Sequence, residues 1–177
     1  PFHFLERCFA PLLRKLDVGL DLELRRLGFY PAGGGEFAAT ITPPSALAAP
    51  FDIVERGASK EAFAEALVPG VPHRVAEREL AVVGQALNWS RDQLRTPPAR
   101  QNEGPGNALL LTAVHEHVSE VVTAFGEKGT TSETVARTAL AEFEAYRAAT
   151  GALGAHLRGG SHRKIQNDMS GAGGDLL

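Results

Sequence analysis

Between residues 4 and 16 the apolar side chains Phe4, Leu5, Cys8, Phe9, Leu12, Leu13 and Leu16 recur at helical spacing, which predicts an amphipathic helix with all of them on one face. The period then drops to two. Val18, Leu20, Leu22 and Leu24 alternate with Gly19, Asp21, Glu23 and Arg25, the pattern of a half-buried strand. A second strand is expected over residues 37–42, stopped by Pro43-Pro44 because proline has no N–H to give a ladder. Residues 45–54 read as a crossing. Residues 61–68 fit helix by their alanines, and helix or strand by Phe63, Ala64, Leu67 and Val68. Pro69-Gly70 turns the chain, and Pro72 opens a helix through Leu87 that buries Val75, Leu80, Val82, Val83 and Leu87. Residues 107–114 and 118–125 are strands joined by the polar His115-Glu116-His117. Thr131-Ser132-Glu133 supplies hydroxyls for a helix start, and Val135, Ala139, Leu140, Phe143 and Tyr146 form the inward stripe of a helix ending near Gly151. From Arg158 onward neither period is present, and no internal repeat is detectable.

Composition narrows the class. The chain has 177 residues, 44% hydrophobic and 22% charged, which is ordinary globular material with room for one domain or two small ones. A net charge of −3 gives no basic footprint for nucleic acid. The single Cys8 excludes an intramolecular disulfide framework and fits a reducing, cytoplasmic compartment. On an apolar helix face it reads as a small core residue rather than a nucleophile. No stretch reaches the ~20 apolar residues of a membrane span. The chain starts inside a predicted helix without an initiator Met, as an interior piece of a longer protein would.

The segment from Gly28 to Glu36, Gly-Phe-Tyr-Pro-Ala-Gly-Gly-Gly-Glu, lies between the first two strands. Each glycine loses more backbone entropy on folding than any other residue, so Gly33, Gly34 and Gly35 in a row need a reason. A hairpin whose positive φ angles exclude a Cβ is one reason; close approach of backbone to a phosphate is the other. Glycine punctuation between strands favours the hairpin. No Lys-Ser/Thr and no helix pattern follow, which excludes a Walker loop and a dinucleotide fingerprint.

This run resembles the Gly-x-x-Pro-x-Gly-Gly-Gly signature of the RNA 3'-terminal phosphate cyclases. The flanks depart, with Leu27 and Phe37 where the family has Arg or His and an aliphatic residue. Four further segments are similar to cyclase segments in order and spacing: residues 72–79, Gly104-Pro105-Gly106-Asn107, Gly126-Glu127-Lys128 and residues 151–157. The resemblance covers residues 1 to about 157. It implies an α/β (α+β) fold, with a partial repeat unit of small sheet plus helices over residues 1–54 and a compact α/β insert domain over 55–148. Residues 149–177 would start the next unit and end in a divergent, flexible tail. It also implies that residues 61–68 are a strand. The pattern breaks off where Arg158, Gly159 and Gly160 replace a family Ala-Asp-Gln, as a reading-frame change or a foreign tail would break it.

The resemblance implies ATP-dependent conversion of an RNA 3'-phosphate to a 2',3'-cyclic phosphate, through a covalent histidine–AMP intermediate and with Mg or Mn. The partner would be an RNA 3'-end, with no membrane involved. The family histidine stands in a His-x-x-Thr-Asn context that this chain lacks, so no catalytic residue is assigned and this chain alone is expected to be inactive. His162 sits on a glycine-rich segment without the pre-organisation catalysis needs. His115-x-His117 has no third ligand nearby in sequence, and no metal site is assigned. His156 takes the place of the aromatic that stacks on adenine; Pro1 and Phe4 resemble the Pro and aromatic walling the pocket opposite. For Phe4 the favoured reading is core on the amphipathic helix, because the apolar stripe already accounts for it. Lys128, between two glycines, could reach a phosphate or be an exposed turn lysine. Gly28, Pro31, Gly33, Gly34 and Gly35 form the structural signature. Asn102 to Gly106, with acid and amide exchanged relative to the family, reads as a turn. A non-catalytic cyclase-like RNA-processing or ribosome-assembly binding protein is the alternative reading.

Overall fold

A computed structural model describes residues 1–149 except 32, 47, 48 and 101. The first helix, α1, runs as α-helix over Phe2–Phe4, a π-helical turn over Leu5–Phe9 and α-helix again over Ala10–Lys15. Pro11 explains the wide turn. It has no N–H, and its ring would press on the carbonyl four residues back, so the preceding turn opens and Ala10 donates to Leu5 O, five residues back. The extra residue shifts the phase of the helix. Phe2, Cys8 and Ala10 are buried, whereas Phe4 and Phe9 are exposed. The single apolar face expected from 3.6-residue spacing is therefore corrected: Phe4 is not core.

Strands β1 (Gly19–Arg26) and β2 (Glu36–Thr42) pair antiparallel in a two-stranded sheet, with an irregularity between Leu24 and Arg26. A second sheet has the order β4-β3-β5-β6, from β3 (Ser59–Leu67), β4 (Leu94–Arg95), β5 (Ala108–His115) and β6 (Ser119–Phe125). β4 joins β3 parallel; the other pairs are antiparallel. Helices α2 (Arg74–Leu87) and α3 (Ser132–Ala148) cover one face. There Ala64, Ala66, Leu109, Leu111, Val122 and Ala124 meet Leu80, Val83, Val135, Leu140, Phe143 and Tyr146. The other face is not left to water. Leu67, Ala108, Leu110 and Val121 pack with Cys8 of α1 and with Leu27 and Phe29 of the hairpin tip. Burial on both faces is why β5 reads as a continuous apolar run rather than an alternation.

The mixed α/β class and the sequence-expected helices and strands are present, and residues 59–67 are strand. Thr131 caps α3, its hydroxyl accepting from Thr134 N at 3.2 Å. α2 ends at Asn88 in a left-handed conformation. The short 3₁₀ turn Arg91–Gln93 and β4 went unread: two residues carry no periodicity.

Candidate functional site

The turn between β1 and β2 uses its glycines for two purposes. Gly33 and Gly34 have φ of +67° and +76°, and a Cβ on either would touch nothing within 4 Å. They are there for conformation alone. Gly28 and Gly35 are there for contact: a Cβ on Gly28 would lie 2.3 Å from Gly35 N, and one on Gly35 would lie 2.9 Å from Gly28 N. The backbone thus approaches itself at Gly28 and Gly35, while the positive φ of Gly33 and Gly34 is what the hairpin reading expects. Gly33 N donates to Phe29 O at 2.7 Å, Arg26 Nε donates to Gly34 O, and Tyr30-Pro31 is cis. A second motif seats the tip. The Phe29 ring lies where a Cβ on Gly106 would be, 1.9 Å from its nearest atom, and the buried Glu103 carboxylate accepts from Leu27 N at 2.8 Å and Arg100 N at 2.9 Å. Two sequence segments, with Leu27 and Glu103 76 residues apart, therefore make one clamp.

Beside this turn opens a cavity of about 460 Å³. Its walls are Pro1 and Phe2 to Phe4 of α1, then Leu24, Arg26 to Pro31, Gly33, Gly35, Glu36 and Phe37 of the hairpin, and Leu67, Ala108, Leu110, Thr123 and Phe125 of the second sheet. Pro1, Phe4, Gly28, Pro31, Gly33 and Gly35 meet here. Gly34 is held next to them through its carbonyl. Lys128 does not line the cavity; it lies exposed in the turn closed by Thr130 N to Glu127 O. His156, His162 and the rest of residues 150–177 lie outside the described residues.

The cavity is apolar, with few charges at its edge. Glu36 is already paired with Arg25 at 3.0 Å and Arg26 at 3.5 Å. Burial and the nearby Arg7 guanidinium push the His3 imidazole down to about 4, so it is neutral at physiological pH. Arg7 anchors α1 to the sheet: it pairs with the buried Glu65 and donates to Thr112 Oγ1 at 3.0 Å. Cys8 is buried and its thiol is pushed up to about 12, mainly by burial, which makes it core rather than nucleophile. His73 is exposed with Nδ1 3.2 Å from Glu77, and His115 packs on Tyr146. Among the described residues no three His, Cys, Asp or Glu side chains converge to hold a metal ion. Among the described residues lining the cavity, the Glu36 carboxylate is committed to arginines.

Of the segment from Thr123 to Lys128, which the family resemblance sets nearest the nucleotide, Thr123 and Phe125 line the cavity and Lys128 does not; the clamp made by Phe29 and Glu103 and the Arg7–Glu65 pair were not read from the sequence. Phe125 carried a weak signal, an aromatic ending a strand next to Gly126; the ion pair spans 58 residues and carried none.

The chain was compared with known proteins. Residues 54–147 match the model of the RNA 3'-terminal phosphate cyclase insert domain. A protein of Ralstonia nicotianae named RNA 3'-terminal phosphate cyclase is 46% identical over 137 residues, covering 77% of this chain and 39% of that protein. One of Pseudomonas aeruginosa with the same name is 42% identical over 136 residues, 77% of this chain and 39% of its own length. One of Koribacter versatilis is 36% identical over 157 residues, 89% of this chain and 44% of its own length. The chain spans less than half the length of these relatives. It belongs to the RNA 3'-terminal phosphate cyclase family.

Proposed function

We propose that this chain is part of an ATP-dependent RNA 3'-phosphate cyclase and that its cavity receives the adenosine of ATP. The observation carrying this is the convergence of Pro1 and Phe4 with the glycine turn on one apolar cavity large enough for a nucleoside. In the reaction a histidine attacks the α-phosphorus and pyrophosphate leaves. The AMP passes to the RNA 3'-phosphate oxygen, and the neighbouring 2'-hydroxyl then attacks that phosphorus and expels AMP. The role of this chain is positional: the Phe4 ring and Pro1 hold the base, while Leu67, Ala108 and Leu110 keep the cavity floor dry. The nucleophile lies outside these 177 residues, which contain no His-x-x-Thr-Asn sequence.

Incubation with α-labelled ATP and Mg or Mn, followed by denaturing electrophoresis, tests this. Reversible ATP binding with no covalent protein–AMP is expected; a labelled band would show that the chain carries its own nucleophile, and failure to bind ATP would remove the pocket assignment. The non-catalytic RNA-assembly reading gains little support. Acidic residues outnumber basic ones in residues 55–148, and Arg78 and Arg95 are paired with Glu133 and Glu61.

A further inference from the structure

Three segments far apart in the chain meet behind the cavity wall. Residues 72–79 end on Glu79 of α2, Gly104 to Gly106 lead into Asn107, and Gly126 follows β6. Asn107 Nδ2 donates to Glu79 Oε1 at 2.5 Å, and Gly126 N donates to Asn107 O at 3.0 Å. From this convergence we propose that Glu79 is a positioning residue for the cavity: as a neutral acid it shares a two-point hydrogen bond with Asn107, and that pair fixes three side chains of the wall. The inference rests on the cyclase reading for its ligand, adenosine, and on packing for its mechanism.

Asn107 is a junction. Gly106 before it seats the Phe29 ring and is held in turn by its own N–H, which donates to Pro69 O at 2.9 Å. Ala108 after it lies on the cavity floor. Across the sheet, a Cβ on Gly126 would lie 2.4 Å from Asn107 Nδ2, so the amide occupies the room that this glycine leaves, and Phe125 stands directly before it. Phe29, Ala108 and Phe125 all line the cavity, whereas Glu79 and Asn107 do not. Holding Asn107 therefore holds the wall at three points.

What holds Asn107 is a carboxyl group with 0% exposure. Among the described residues neither Glu79 Oε2 nor Asn107 Oδ1 has a hydrogen-bond partner. Both are acceptors when the acid is ionised, and burying two unmatched oxygens is costly. One proton on Oε2 makes it a donor, and an acid then matches a carboxamide at two points, N–H to Oε1 and O–H to Oδ1. The surroundings favour that proton. Burial raises the carboxyl above its usual range, the Asn107 hydrogen bond opposes the rise, and Glu133 of α3 adds to it. Glu133 has the same sign and is paired with Arg78 of α2 through two bonds of 2.8 Å; the sheet presents only the neutral Asn107. Ionisation undoes the match, because a carboxylate has no hydrogen for Oδ1. Affinity for adenosine therefore holds below the folded value of the acid and falls as pH rises through it.

The test follows the isotope-labelled whole chain by NMR from pH 5 to 9, with and without adenosine, whose own groups do not titrate in that range. His3, also on the wall, is held down to about 4 and stays neutral throughout. In wild type the amide signals of Asn107, Ala108, Phe29 and Phe125 should shift with one common midpoint. The adenosine dissociation constant should rise about tenfold across it, the loss of one hydrogen bond. Glu79→Gln offers Asn107 the same donor and acceptor as the neutral acid, so its signals should not titrate and its affinity should stay at the wild-type acid-side value. Glu79→Ala should bind weakly at every pH. Wild-type and Glu79→Gln profiles that overlay overturn the proposal, as does Glu79→Gln binding as weakly as Glu79→Ala. Wall signals that titrate while adenosine binds equally at every pH also overturn it, since the pair would then support the fold without shaping the cavity. A wild type that binds no adenosine removes the nucleotide assignment; wall signals that still titrate, and do not in Glu79→Gln, then uphold the positioning, and their absence ends it. Should Glu79→Ala fail to fold, wild type against Glu79→Gln decides alone.

Discussion

A methyl group added at Gly34 and one added at Gly106 meet different obstacles. At Gly34 there is free space, and the cost is the left-handed φ of +76° imposed on an L residue, about 1–2 kcal/mol. At Gly106 the methyl collides with the Phe29 ring itself, which must leave its seat and uncover Leu67 and Leu110, a loss of roughly 3 kcal/mol. Urea unfolding should therefore rank Gly106→Ala as the more destabilising, and only Gly106→Ala should also weaken ATP binding, because Phe29 lines the cavity. Phe4→Ala separates binding from stability. Its ring is half exposed, so the unfolding midpoint should barely move while the ATP dissociation constant rises roughly tenfold, as loss of one aromatic contact predicts. Unchanged ATP affinity would show that Phe4 does not wall the nucleotide. The glycine run was legible as a turn, but which glycines answer to φ and which to contact was not, because the contacts of Gly28 and Gly106 are set by Gly35 and Phe29.

Between elements, two titratable groups tie pH to packing with opposite sign. Glu79 of α2 is fully buried; Asn107 Nδ2 donates to its Oε1 at 2.5 Å, while Glu79 Oε2 and Asn107 Oδ1 have no hydrogen-bond partner. Burial raises its carboxyl above the usual range, the Asn107 hydrogen bond opposes that, and Glu133 across on α3, itself paired with Arg78, adds to the rise. A raised acid is protonated in the fold and ionised when unfolded, so stability falls as pH rises from about 4.5 through its folded value. His3 does the reverse. Held down to about 4, it costs stability as pH falls from 6.5 to about 4, where only the unfolded chain takes up the proton. Thermal unfolding followed from pH 4 to 8 should show Glu79→Gln abolishing the loss on the alkaline side, its amide now able to donate to Asn107 Oδ1. His3→Gln should flatten the acid side. A Glu79→Gln profile that overlays wild type would refute the buried acid. The Arg7–Glu65 contact between α1 and β3 is the other joint. Arg7→Ala strands a buried carboxylate and should cost roughly 3 kcal/mol, part of which Glu65→Gln recovers in the double variant.

At the scale of the molecule, the four-stranded sheet depends on cover from both sides. α2 and α3 bury one face; Cys8, Leu27 and Phe29 bury the other. Residues 54–147 produced alone should therefore expose Leu67, Ala108, Leu110 and Val121, bind a hydrophobic dye such as ANS more strongly than the whole chain and unfold at a lower temperature. Equal dye binding would mean that α1 and the hairpin tip merely rest on the sheet. No helix among the described residues is long and apolar enough to cross a membrane. The amino-acid order by itself determined the helices over 74–87 and 132–148, the paired strands and the glycine turn, because side-chain period, proline and glycine act within a few residues of where they stand. It could not determine that Phe4 faces outward, since that depends on the π-turn ahead of Pro11, nor that Glu79 is buried, since a carboxylate on a helix ordinarily faces water. The cavity was decided only by the tertiary structure. Its walls come from α1, the hairpin and the insert, and only chain folding brings Phe4, Tyr30 and Phe125 around one space.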